Sequence, residues 1–419
     1  MSSDTLTPSP AALPLKPATK RLLPRILLAA AGLLLLFSFA RVVTGAADLT
    51  SPGTIGAALG LAVPIGMAGL GGLWAERAGV VNIGLEGMMI LGTFGAGWAG
   101  YQWGPWAGLA CAVVMGALGG LLHAVATVTF GVDHIVSGVA INILALGVTQ
   151  YLAAVAFSGV PGGGETQSPR ISPMGTITVP GVSQWLSDIA AKGWFLISDL
   201  AGVLAGLTTN LSYLTIIAVV LFVATFYILW RSAFGLRLRA CGESPYAAET
   251  LGVNVYTYKY LAVMMSGAMA GVGGAYLAIV AAAIYREGQT GGRGYIGLAA
   301  MIFGNWRPGG LAAGAGLFGY ADAMQLRSGA AVHALLLVAA IASLLFGLWS
   351  LRRRQTATGV VGIALSGVLA FWFFTTDELP PQVLSATPYV TTLVVLAFAS
   401  QRLRMPAADG LRYRRGEGT

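Results

Sequence analysis

Charge is scarce in this chain: 10% of its 419 residues are Asp, Glu, Lys or Arg, while 56% are hydrophobic. Soluble domains carry about 25% charged residues. With a mean hydropathy of +0.76, a water-soluble globular fold is excluded. Two cysteines, Cys111 in an apolar run and Cys241 in a basic loop, cannot build a disulfide framework. No G-x-x-x-x-G-K-[ST] stretch occurs, which removes a Walker-type phosphate cradle and nucleotide hydrolysis by that route. H-E-x-x-H, G-x-S-x-G and Cys/His clusters with metal spacing are missing too, and His123, His134 and His333 lie far apart in sequence. The chain reads as neither an enzyme nor the holder of a cofactor or metal.

Apolar runs dominate instead. A helical span needs about 20 mostly apolar residues, and candidates lie at 24–43, 54–75, 80–99, 105–130, 134–157, 211–230, 258–282, 309–327, 331–350, 358–376 and 387–400. The expected fold is all-α, a polytopic membrane helix bundle of about 10–12 transmembrane helices. The net charge of +8 does not point to nucleic acid, because the basic residues flank the apolar runs and act as topology signals. Arg outnumbers Lys 20 to 4, and Ala and Gly abound, as in a GC-rich bacterial genome.

Three regions follow. Residues 1–20, rich in Pro, Ser and Thr, read as a disordered tail. Residues 21–400 form the transmembrane domain, its first span a retained anchor rather than a cleaved signal. Residues 401–419 form a basic tail. Basic clusters at Lys16–Arg25, Arg231–Lys259, Arg352–Arg354 and Arg402–Arg415 mark cytoplasmic stretches, so both termini are expected inside and 158–208 outside. Alternation then requires a third crossing between the external loop near 284–292 and Arg352. Residues 294–305 must supply it, as a short or re-entrant helix shielded from lipid. The 158–208 segment is too long for a mere connector; it is either a tolerated insertion or a gate or docking surface.

Ionisable groups at membrane depth cost about 2.5–3.5 kcal/mol or more, so each needs a partner or a wet path. In AGVVNIGLEGMM, Asn82 and Glu86 stand four apart, a spacing that puts both on one helical face. They are either interhelical glue or part of a substrate route, as is Asn142 two turns into the 134–157 span. Asp133 opens that span as a helix cap. Glu86, Asp133 and His134 would be the titratable groups of a proton-coupled transporter, the alternative reading. G-x-x-x-G pairs at Gly116/Gly120, Gly267/Gly271 and Gly310/Gly314 point to tight helix contacts.

The loop CGESPYAAETLGVNVYTYKY, 241–260, is the most punctuated stretch. Ser244 can cap a helix, Pro245 suits its first position and Gly252 stops it. Ala247 and Ala248 would make a small-faced knob for a cleft in another protein.

The strings WAERAGVVNIGLEGMMILG (74–92), GVDHIVSGVAINILALG (131–147), CGESPYAAETLGVNVYTYKYLAVMMSGAMAGVGGAYLA (241–278) and MIFGNWRPGGLAAGAGLFG (301–319) resemble the permease subunits of bacterial ABC importers for simple sugars and nucleosides. N-I-G-L-E-G is more similar to the nucleoside branch, and the likeness spans roughly 55–350. It implies a multi-pass protein of the bacterial plasma membrane whose ATP is bound by a separate cytoplasmic subunit. A second homologous permease, an extracellular solute-binding lipoprotein and membrane lipid complete its partners. It further implies that Glu243, Ser244, Pro245, Tyr246, Ala247, Ala248, Glu249 and Gly252 couple to the ATPase, and that Asn82, Glu86 and Asn142 lie near the path.

Overall fold

A computed structural model describes residues 22–327, 329–376 and 403–416, with a few isolated positions between 379 and 390. Apart from Val390, the span expected at 387–400 lies outside the described residues, as does the tail at 1–20. The helices are α1 (Leu22–Thr44), α2 (Pro52–Arg77), α3 (Leu85–Trp103), α4 (Pro105–Ala124), α5 (His134–Phe157), α6 (Val182–Ala191), α7 (Ile197–Gly206), α8 (Tyr213–Arg231), α9 (Ala233–Glu243), α10 (Pro245–Thr250), α11 (Val255–Ala275), α12 (Arg293–Phe303), α13 (Pro308–Arg327), α14 (Gly329–Arg352) and α15 (Thr356–Thr375). Eight helical stretches among the described residues are long and apolar enough to cross a membrane. The polytopic helical bundle stands; α3 and α13 add long helices of lower apolarity.

The centre is built from α2, α11, α4 and α13, and small residues let their backbones meet. A side chain at Gly116 or Gly120 of α4 would strike the carbonyls of Gly267 or Val263 on α11. Both G-x-x-x-G pairs therefore lie at one crossing, where absence of Cβ atoms allows dispersion contact between main chains. Gly69 of α2 lies against α12 in the same way: its Cβ would stand 2.6 Å from the Gly297 carbonyl. Helices α14 and α15 pack on each other through Gly347, Gly359 and Gly362 at the edge of the bundle.

The chain between α11 and α13 behaves as the crossing parity demands. Residues 283–287 pair with 166–171 through Ser168 N to Tyr285 O (3.0 Å) and Ile171 N to Ala283 O (2.8 Å), at the end of the bundle that carries α6 and α7. Helix α12 then begins beside Glu86, packs at Gly297 on Ile65 in the middle of α2, and ends where Trp306 O accepts from Arg77 Nε (3.0 Å) and Nη2 (2.7 Å). Its 11 residues reach about 16 Å, half of a bilayer core of about 30 Å. Such a half-helix is tolerated because protein surrounds its ends.

Segment 158–208 is more than a connector. A two-stranded ribbon pairs Thr176–Ile177 with Leu211–Ser212, and α6 and α7 form a hairpin. The hairpin is pinned to α1 by Arg41 Nε on Asp199 (2.7 Å), with the Thr50 hydroxyl donating to the same carboxylate (2.5 Å). These bonds hold the Asp199 carboxyl below its ordinary range against the opposing effect of burial.

Candidate functional site

The span expected over 80–99 does not start at residue 80. Helix α2 stops at Arg77, Gly79 turns with φ +80°, and α3 begins at Leu85. Asn82 sits in the break, so it and Glu86 do not share a helical face. The Asn82 amide oxygen accepts from Gly84 N (3.0 Å), an Asx-type turn that competes with helix, while its nitrogen donates to the Ser266 hydroxyl of α11 (2.8 Å). Two histidines flank the same break. His134 Nδ1 accepts from Val81 N (3.2 Å) and His123 Nε2 lies 2.9 Å from Val81 O, so tertiary folding brings together rings that are distant in sequence. They serve the exposed main chain of the break; no group of three His, Cys, Asp or Glu suited to a metal occurs among the described residues.

Glu86 opens α3 and faces the start of α12. Its two carboxylate oxygens accept from Gly292 N (2.9 Å) and Gly294 N (2.7 Å). A helix N-terminus leaves N–H groups unpaired and carries partial positive charge, so a buried carboxylate there is matched in charge and hydrogen bonding. Gly292 adopts φ +78°, which aims its N–H at the carboxylate, and a Cβ on Gly294 would stand 2.6 Å from Glu86 N and Cα. Asn142 of α5 joins the same ring. Its oxygen accepts from Gly87 N (2.7 Å), and its nitrogen donates to Ile83 O (3.1 Å) and the Tyr295 hydroxyl (2.9 Å).

Asn82, Glu86 and Asn142 thus meet where a broken helix, a half-helix and α5 converge. Glu86 and Asn82 are buried, whereas Asn142 and Tyr295 reach the open side. Further along that side the Gln150 amide donates to Glu287 (2.8 Å). Tyr295 escaped the sequence reading because only the turn into α12 brings it to Asn142, and the Gln150–Glu287 pair because only the fold carries residue 287 to the α5 face. A separate cavity of about 300 Å³, lined by Gly60, Asn210, Ser212 and Tyr276 among others, includes no residue of this ring.

The three titratable groups of the proton-relay reading have separate jobs. Asp133 caps α5, accepting from Ile135 N (2.9 Å) and Val136 N (3.0 Å), and those amides lower its carboxyl below the ordinary range. Glu86 holds α12, and His134 holds Val81.

At the opposite end of the half-helix lies α10. Pro245 takes the first position and Gly252 follows with φ +79°, as the spelling requires, but the Ser244 side chain makes no capping bond. The small-faced knob is only half correct: Ala247 is exposed, whereas Ala248 is buried against Cys241 and Val255. Leu251, 84% exposed, is the apolar residue at the tip. Glu243, Ser244 and Gly252 are exposed around it, while Pro245 is buried and Tyr246 and Glu249 are partly covered.

A helical bundle with a polar ring at a helix break and a projecting short helix defines a polytopic membrane permease. Residues 54–330 match the family described as branched-chain amino acid transport system / permease component, and the chain belongs to that family. It is 38% identical over 278 residues to the guanosine ABC transporter permease protein NupQ of Bacillus subtilis, covering 64% of this chain and 81% of that one. It is 34% identical over 358 residues to the nucleoside ABC transporter permease protein NupC of Lactococcus lactis, covering 84% and 93%. The guanosine permease protein NupP of Bacillus subtilis is 27% identical over 250 residues, covering 58% and 64%. No solved structure shows significant similarity to the chain.

Proposed function

We propose that this chain is the permease subunit of an ATP-driven importer that carries nucleosides across a bacterial plasma membrane. The observation that carries the reading is the ring of Glu86, Asn142 and Tyr295 at a helix break inside a chain related to nucleoside permeases. Broken helices expose backbone and side-chain polar groups where a solute must be recognised in an apolar surround. Asn142 and the Tyr295 ring are the solute-facing groups; Glu86 and Asn82 hold the break in shape.

The polar side of α5 opens outward from the bundle beside the exposed Ile143 and Tyr151, which leaves that face free to meet another chain. A second, homologous permease closes the path. A cytoplasmic ATP-binding subunit docks on α10 with Leu251 as the apolar anchor, and an extracellular solute-binding lipoprotein delivers solute at the α6–α7 end. Both chain termini then lie inside.

The test is uptake of labelled guanosine into proteoliposomes holding this chain with its second permease, ATPase and binding protein. Uptake that requires internal ATP supports the reading. Uptake driven equally by a proton gradient without ATP overturns it.

A further inference from the structure

Residues 403–416, the described part of the basic tail 401–419, are folded onto the α10 end of the bundle. Their main chain is tied at three places: Arg404 N donates to the Asn305 side chain (2.7 Å), Ala407 N to the Glu243 carboxylate (3.2 Å), and Ala408 N to Gly242 O (2.9 Å). Ala408 O approaches the space above Gly79, and Gly410 packs on Val81. The Tyr413 ring, buried, lies between Tyr246 of α10 and Tyr256 of α11 with centroids at 5.3 and 5.4 Å, and Lys259 Nζ stands 5.9 Å over it. Arg415 pairs with Glu249 at 3.3 Å.

The segment therefore touches α10 on one side. On the other it touches the foot of α12 at Asn305 and the Gly79–Val81 break before α3. Those are the elements whose far ends meet at Glu86. Helix α10 itself is only six residues long, too short to hold its own geometry in water, and aromatic packing on Tyr413 supplies a rigid neighbour. We propose that segment 403–416 is a positioning strap that carries displacement of α10 to the break before α3, with Tyr413 as its key residue. The inference rests on α10 being the ATPase docking element.

Two measurements test it. In the assembled transporter, guanosine imported per ATP hydrolysed is compared for the natural chain, Tyr413→Ala and Tyr413→Phe. The ratio falls at least fivefold in Tyr413→Ala and returns within twofold of natural in Tyr413→Phe, which keeps the ring. A ratio unchanged in Tyr413→Ala overturns the strap while leaving the importer reading intact. A natural chain that shows no ATP-coupled uptake removes the importer reading itself. Amide exchange on the purified chain needs no solute: Tyr413→Ala raises exchange at 246–253 at least tenfold while the α4–α11 crossing stays protected. Equal exchange at 246–253 in the two proteins overturns the strap whatever the solute.

Discussion

Replacing Glu86 by Gln separates a clamp from a solute contact. Both carboxylate oxygens are engaged, at 2.9 Å from Gly292 N and 2.7 Å from Gly294 N. Glutamine offers one acceptor oxygen, and its NH2 group must face the second N–H. One charge-assisted bond is lost, about 1.5–3 kcal/mol, and a buried N–H is left without a partner. Removing negative charge from the helix start costs a further ~0.3–2 kcal/mol. The expected loss is about 2–5 kcal/mol of stability, concentrated at the start of α12. Unfolding of the purified chain in detergent by titrated denaturant, with amide exchange at 292–296, measures both parts. If the variant unfolds within about 0.5 kcal/mol of the natural protein, the range of a neutral surface change, and 292–296 stay protected, the clamp assignment is refuted. Reduced uptake with intact stability would instead assign Glu86 to the solute.

Leu251→Asp places charge on the exposed tip of α10; insertion and folding are retained, while ATPase co-purification drops at least tenfold, and undiminished co-purification removes Leu251 as the anchor. Gly267→Val puts two methyl groups against the Gly116 carbonyl, an overpacking cost of about 1–3 kcal/mol or more, so the yield of folded protein by size-exclusion chromatography falls sharply; a normal yield contradicts the close crossing. Burial, outweighing a hydrogen-bonding interaction with the Glu76 carboxyl and the positive charges of Lys259 and Arg77, pushes the Asp409 carboxyl up to about 7. The docked strap thus retains a proton that a free Asp releases near pH 4. Docking is most favourable below that value, weakens as pH rises from about 4 to about 7 and stays weaker above. Limited proteolysis of 403–416 should be slower at pH 6 than at pH 8, and Asp409→Asn should flatten the difference. Faster cleavage at pH 6 would reverse the sign and refute the assignment.

Several features were legible one residue at a time. Asp133 at the head of an apolar run, Pro245 and Gly252 around a short helix, and the paired glycines 116/120 and 267/271 report local geometry that each residue type favours by itself. The half-helix was legible from charge alternation, since an odd crossing had to be filled by a segment too short to span. The misreading of Asn82 came from treating an apolar run as continuous helix. The signals against it were Gly79 two residues beyond Arg77 and an Asn two residues before Gly84, both turn chemistry.

Hydropathy and charge position, which depend on each residue's own transfer energy, determined by themselves that this chain lives in a bilayer, and the local backbone preferences of Pro245 and Gly252 determined where α10 lies. Which polar groups meet was decided only by the folded arrangement. Glu86 and Gly294 lie 208 positions apart and their bond is 2.7 Å long. That contact exists because glycines 69 and 297 let α12 press against α2. The burial of Tyr413 against Tyr246 and Tyr256 likewise depends on three separate segments arriving at one place, and no local propensity encodes such a meeting.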